Sequence, residues 1–290
     1  MTRVILFFLW CFHWLPLPVQ AAWGWLLAQL LYVAVVPRRR VVLTNLRLCF
    51  PELSEAERRR MARRIVVAVT RSMLERGVIW WASESRIRKL VELRGVEKIR
   101  EFHAQGRAVV ILVPHFVGLD MAGSRMAMEM DCVSMYSAQN DKVLEKMLLH
   151  GRLRFGKQEL LSRQDGIRGA VKALKAGRPF YYLPDLDFGP KESVFVPFFG
   201  VQTATVPGLP RIAKLARAVV VPLIVRMKPW GQGYLAEFGE PWQDFPGEDA
   251  VADTARMNAY IEAEVRKSPE QYYWVHKRFK TRPPGEAKFY

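Results

Sequence analysis

His115 and Asp120 stand five residues apart in Ala108-Val-Val-Ile-Leu-Val-Pro-His115-Phe-Val-Gly-Leu-Asp120. An imidazole beside a carboxylate can act as a general base. The carboxylate fixes the tautomer and supports the cation, while the other ring nitrogen takes a proton. The pair needs no serine or cysteine nucleophile if the deprotonated group is itself the attacking hydroxyl, so Cys132 has no required part in such a step. The bland alternative is a strand-ending histidine followed by an exposed helical aspartate, because H-x-x-x-x-D alone is a weak signal. Further candidates are Arg152 and Arg154 at a helix end, suited to clamping phosphate or carboxylate by the planar guanidinium fork, or simply to compensating the helix dipole. Asp185 and Asp187 follow a strand in Pro184-Asp-Leu-Asp-Phe-Gly189, where turn chemistry is the plainer reading. Gln164-Asp165-Gly166 precedes a helix as a cap or an anion-facing terminus. His276 reads as structural.

The elements around these residues follow from patterning. Ala108–Val113 has no polar alternation, so it predicts a strand buried on both faces of a parallel sheet. Met121–Met130 has helical spacing, which puts His115 on a strand-to-helix turn and Asp120 near the helix start. Sites of open α/β sheets lie beyond the carboxyl ends of their strands, and amides near Gly118 could receive a developing oxyanion. Strands are further predicted at 91–93, 132–136, 179–183 and 219–225, with an edge strand at 234–238. Helices are predicted at 95–105, 142–149, 167–175, 209–218 and 251–265. Residues 194–200 read as loop, and the aromatic–cationic run 269–283 as an amphipathic helix against the sheet. Ser54-Glu-Ala-Glu57 is a capping box opening a helical pattern to about Trp81, with Arg58, Arg59, Arg60, Arg63, Arg64 and Arg71 on one face. The βαβα order implies an α/β fold, with a mostly parallel central sheet flanked by helices.

The chain has 290 residues, half of them hydrophobic, and a formal net charge of +16. That excess suits a polyanion: nucleic acid, an anionic membrane or lipid, or an acidic protein. Three distant cysteines form neither a disulfide framework nor a zinc pattern. No phosphate-binding glycine motif is present, so nucleotide binding has little support. Val4–Leu15 and Val19–Val36 are apolar, broken by Pro16 and Pro18 and followed by Arg38-Arg39-Arg40. Residues 1–40 read as a retained membrane anchor with a basic flank holding residues 41–290 in the cytoplasm. The rival is a signal peptide cut after Ala21.

His115–Asp120, Gly151-Arg-Leu-Arg154, Arg163-Gln-Asp-Gly-Ile-Arg-Gly169, Pro184–Gly189, Val194-Phe-Val-Pro-Phe-Phe-Gly200 and Gln271–Pro283 occur in that order. Together they resemble the lipid A biosynthesis acyltransferase family, late lauroyl/myristoyl-type enzymes of Gram-negative inner membranes, over nearly the whole chain. The resemblance implies a glycerol-3-phosphate-acyltransferase-like fold and transfer of a fatty acyl chain from acyl carrier protein to a hydroxyl of an acylated glucosamine disaccharide. It places the catalytic dyad on His115 and Asp120, and its conserved arginine and aspartate on Arg152 and Asp185. Arg154, Arg163 and Asp187 complete the candidate substrate-binding set. No metal and no bound cofactor are expected, only the carrier protein, the anionic glycolipid and the membrane as partners, with no nucleic acid. Many relatives carry glutamate at the Asp120 position. The segment Tyr136–Asp141 lacks an arginine and prolines of the family pattern, which leaves the acceptor position open. An acyltransferase acting on another membrane glycolipid, phospholipid or aminolipid would share the dyad and is the alternative; a membrane-tethered anion-binding protein without chemistry would share the charge, but not these ordered motifs.

Overall fold

In a computed structural model, which describes residues 2–162 and 166–290, the chain begins with four helices: α1 (Thr2–Phe12), α2 (Leu17–Ala34), α3 (Val36–Cys49) and α4 (Glu55–Leu74). Then follow α5 (Arg76–Trp81), α6 (Glu84–Leu90), β1 (Val91–Arg94), α7 (Val96–Ala104), β2 (Val109–Leu112), α8 (Leu119–Ala127) and β3 (Val133–Tyr136). Next come α9 (Lys142–Leu153), β4 (Glu159–Ser162), α10 (Gly166–Lys175), β5 (Phe180–Tyr182), β6 (Val194–Phe198) and β7 (Val201–Thr205). The last elements are α11 (Gly208–Ala216), β8 (Val219–Met227), β9 (Tyr234–Phe238) and α12 (Ala250–Lys267).

Seven strands form one sheet in the order β1-β9-β8-β2-β5-β3-β4. Every pairing is parallel except β8 with β9. β2 sits centrally and is fully buried: Val110 and Leu112 enter the core under α3, α4 and α10–α12, while Val109 and Ile111 enter the core under α5, α6 and α8. Two covered faces explain its unbroken apolar run, and each fully buried Val, Ile or Leu contributes about 1.5–3 kcal/mol.

Several expectations are corrected. β9 is not an edge strand, because β1 pairs with its outer side. Residues 194–200 belong to a β6/β7 antiparallel hairpin rather than a loop. Residues 269–283 form no α-helix. After a short 3₁₀ turn at Pro269–Gln271, Tyr272 bridges Phe116 and the chain continues in successive turns; Val117 N–H donates to the Gln271 carbonyl (2.9 Å) and Tyr273 N–H donates to the His115 carbonyl (3.0 Å). Aromatic content there serves a core seam, with Tyr272, Trp274 and Phe279 buried. The capping box is present: Ser54 Oγ accepts from Glu57 N–H, and the Glu57 carboxylate returns to Ser54. The arginine face divides, since Arg71 is buried against Glu75 (3.0 Å) and Arg58 is tied to the Phe50 and Pro51 carbonyls.

α3, opening with proline in its first turn, runs straight through residue 40. α2 lies along α4 in antiparallel register. Gly24 fits where a Cβ would come within 2.7 Å of Arg71, and the Tyr32 ring receives the Arg63 guanidinium at 5.3 Å. The elbow between α1 and α2 is held by Arg86, which donates to the His13 and Leu15 carbonyls.

Candidate active site

β2 and β5 are neighbouring parallel strands in register, with Val110 opposite Phe180, Ile111 opposite Tyr181 and Leu112 opposite Tyr182. His115 and Asp185 each stand three residues beyond those strands, so the register carries them to the same level. His115 Nδ1 meets Asp185 Oδ1 at 2.7 Å, and His115 N–H donates to Asp185 Oδ2 at 2.9 Å. The Tyr272 hydroxyl donates to the same carboxylate. Asp185 is 1% exposed. Burial acts to raise its pKa, but contact with the His115 ring and the hydrogen bonds it accepts outweigh burial and hold it below the usual carboxylate range. An ionised Asp185 fixes the proton on Nδ1 and leaves Nε2 as the acceptor. Among the described residues, Nε2 makes no hydrogen bond.

Asp120 lies in the first turn of α8, as expected, on the same cavity as His115. It makes no hydrogen bond or ion pair with His115. Its Oδ2 receives Arg76 Nη2 at 3.2 Å and its Oδ1 receives Arg152 Nη2 at 3.3 Å. Its oxygens are taken by guanidinium groups from two neighbouring helices, Arg76 at the start of α5 and Arg152 near the end of α9. Burial pushes the Asp120 carboxyl up, but the charges of Arg152 and Arg76 more than reverse this and hold it low. Arg76 went unnoticed in the sequence because it sits at a helix junction with no motif around it.

The remaining candidates separate. Arg154 donates to the Ile79 and Ala82 carbonyls at the end of α5 and stacks on Phe155, away from the wall of the His115 cavity. Asp187 also turns away, its oxygens accepting Thr281 N–H (2.7 Å), Thr281 Oγ1 (2.8 Å) and Gly189 N–H (2.9 Å). Its own N–H donates to His276 Nε2 at 3.0 Å, and burial lowers the His276 pKa to about 4. Both aspartates follow β5, but Asp185 meets His115 while Asp187 is taken by Thr281 and Gly189. Arg163, with Gln164 and Asp165, lies outside the described residues. The amides flanking Gly118 are engaged, Val117 N–H by Gln271 and Leu119 N–H by Phe116, so the oxyanion donors expected there are not these two.

His115, Asp120, Arg76 and Arg152 share the wall of a cavity of about 430 Å³ over the carboxyl ends of β3 and β5. Trp80, Leu119, Met126 and Leu148 give it an apolar side. Cys132 also borders it, but burial pushes that thiol up to about 12, where it is protonated and a poor nucleophile. One cavity thus offers an oriented base, the guanidinium groups of Arg76, Arg152 and Arg211, and hydrocarbon surface. That combination suits a substrate with a hydroxyl, an anionic group and an acyl chain.

A family model of bacterial lipid A biosynthesis acyltransferases matches residues 1–281. The lipid A biosynthesis lauroyltransferase of Escherichia coli K12 is 38% identical over 97% of this chain and 92% of its own length. The palmitoleoyltransferase of the same organism is 32% identical over the same shares, and its myristoyltransferase 35% identical over 87% and 78%. A solved 1-acyl-sn-glycerophosphate acyltransferase from Thermotoga maritima overlays with a TM-score of 0.38 at 13% identity, covering 87% of this chain and 97% of that one. By the family match and these identities, the chain belongs to the bacterial lipid A biosynthesis acyltransferases.

Proposed function

We propose that this acyltransferase moves a fatty acyl group from the thioester of acyl carrier protein to a hydroxyl of an acylated glucosamine disaccharide, the lipid A precursor. His115 Nε2 takes the hydroxyl proton. The oxygen attacks the thioester carbonyl, the carbon–sulfur bond breaks, and the imidazolium returns its proton to the leaving thiolate. Asp185 holds the ring and supports its transient charge. Arg76 and Arg152, held by Asp120, present cations to phosphate on the glycolipid or on the donor's prosthetic arm. The observation that carries this reading is the buried Asp185–His115 pair, with Nε2 unengaged on a cavity that holds both cations and apolar wall. Positive surface charge favours an acidic carrier protein. The reading places the chain at the inner membrane with the cavity on the cytoplasmic side, where acyl donors are made.

The test is lipid A mass spectrometry of a deletion strain, paired with the purified chain given acyl carrier protein thioester and a phosphorylated, acylated glucosamine disaccharide. The expected result is lipid A short of one acyl chain, and in vitro a product heavier by one. Unchanged lipid A with no in vitro transfer overturns the reading.

A further inference from the structure

α2 has 18 residues and, at 1.5 Å per residue, is about 27 Å long, just enough for a hydrocarbon layer of about 30 Å. Its packing argues against that use. Gly24 meets Arg71 and Tyr32 meets Arg63, eight residues apart on both helices, so α2 and α4 run side by side along most of α2. The α2 residues turned inward (Leu17, Gln20, Ala21, Gly24, Ala28) form one stripe at helical spacing. α4 carries Arg59, Arg60, Arg63 and Arg64 exposed to solvent, and arginines in hydrocarbon are strongly unfavourable. A spanning α2 would have to strip itself from α4 or drag these four charges into the bilayer.

The other face of the same helices is apolar and uncovered. Phe7, Phe8 and Trp14 of α1 and its elbow, with Trp23, Leu27 and Leu30 of α2, are all exposed. Exposed cations rim this face: Arg3 at the start of α1, Arg38 and Arg40 just beyond α2, and the α4 arginines beside it. Apolar and tryptophan side chains bordered by arginine match the acyl–headgroup boundary of an anionic bilayer. We propose that α1 and α2 lie in the plane of one anionic leaflet as a docking face, with both ends on the side that carries the catalytic domain, and do not cross the membrane. This rests on the proposed function only for which side that is. It also places the cavity at the membrane. Thr2 donates to Asp141, which caps α9, and nearby Ser137 and Gln139 line the cavity. A lipid acceptor would reach His115 by leaving the leaflet sideways.

The full chain is tested by placing a single cysteine at Arg3→Cys or at the exposed Lys288→Cys in a Cys11→Ser background, Cys49 and Cys132 being buried. A membrane-impermeant maleimide is applied to spheroplasts and to inverted vesicles. In-plane docking gives labelling of both positions from the same side. Labelling from opposite sides overturns it. Labelling of both only from outside upholds docking and overturns the cytoplasmic assignment. A second measurement uses phosphatidylethanolamine vesicles containing phosphatidylglycerol. Phe8→Asp with Leu30→Asp should cut bound protein about tenfold or more, as each charge faces hydrocarbon, with the melting temperature kept. Undiminished vesicle binding by that variant overturns the proposed face.

Discussion

Two carboxylates at the site, Asp185 behind the His115 ring and Asp120 on the cavity wall, have opposite partners. Asp185 is sealed off at 1% exposure and spends its oxygens on the His115 ring, the His115 amide and Tyr272. Asp120 is only partly buried and spends its oxygens on two arginines. One carboxylate orders a proton acceptor and the other orders cations. The spacing of a motif therefore says which residues meet at a site, and the sheet register says which of them touch.

The sharpest attack on this division removes the base. His115→Ala should lower turnover about a hundredfold to ten-thousandfold while leaving membrane association and melting temperature near wild type. Transfer at the wild-type rate would make the pair structural. Next come the two carboxylates compared directly. Asp185→Asn should lower kcat on a similar scale with little change in KM, and also depress the melting temperature, since the His115 amide and Tyr272 lose a charged acceptor worth about 1.5–3 kcal/mol. Asp120→Asn should cost roughly ten- to a hundredfold, on the same scale of charge-assisted hydrogen bonds, and show mainly as a changed KM and salt dependence for the anionic substrate. Asp120→Glu, which keeps the charge, should retain more activity. If the Asp120 variant carries the pure kcat defect instead, the roles assigned here are reversed. Arg152→Lys keeps charge but loses the planar fork. About tenfold loss in kcat/KM is expected, and near-normal kinetics would reduce Arg152 to a partner of Asp120.

The smallest effect concerns His276, whose pKa falls from 6.5 to about 4 in the folded chain. Between those values the unfolded chain binds more protons, so stability rises with pH through that window and is lost as pH falls toward 4. Protonation would also break the acceptor contact with Asp187 N–H. His276→Gln should flatten the fall in melting temperature between pH 6.5 and 4. An equally steep fall in the variant would place the acid sensitivity elsewhere.

Much of the frame was legible. β2, β3, β5, β8 and their helices follow from apolar runs and capping signals, and His115 and Asp120 sit on the turn and helix start where patterning put them. The His115–Asp185 contact was not legible, although its arithmetic is simple once strand order is known. An offset of 70 pairs Val110 with Phe180 and equally pairs His115 with Asp185. Sequence pattern does not state that β5 inserts between β2 and β3. The 269–283 segment differs for another reason: its aromatics fill a core seam from a run of turns, and aromatic content does not distinguish that from a helix face.

That 269–283 segment also sets when the site exists. The turn carrying His115 is closed by a hydrogen bond that Val117 N–H donates to the Gln271 carbonyl and one that the His115 carbonyl accepts from Tyr273 N–H, and Tyr272 completes the setting of Asp185. The two backbone bonds, Val117 with Gln271 and His115 with Tyr273, join positions more than 150 residues apart, and a loop that long closes late, after the local helices have formed. On the proposed docking, the apolar α1–α2 face emerges first and would reach the bilayer before residues 271–273 close the His115 turn. A product truncated before residue 271 would then dock without the contacts that close that turn.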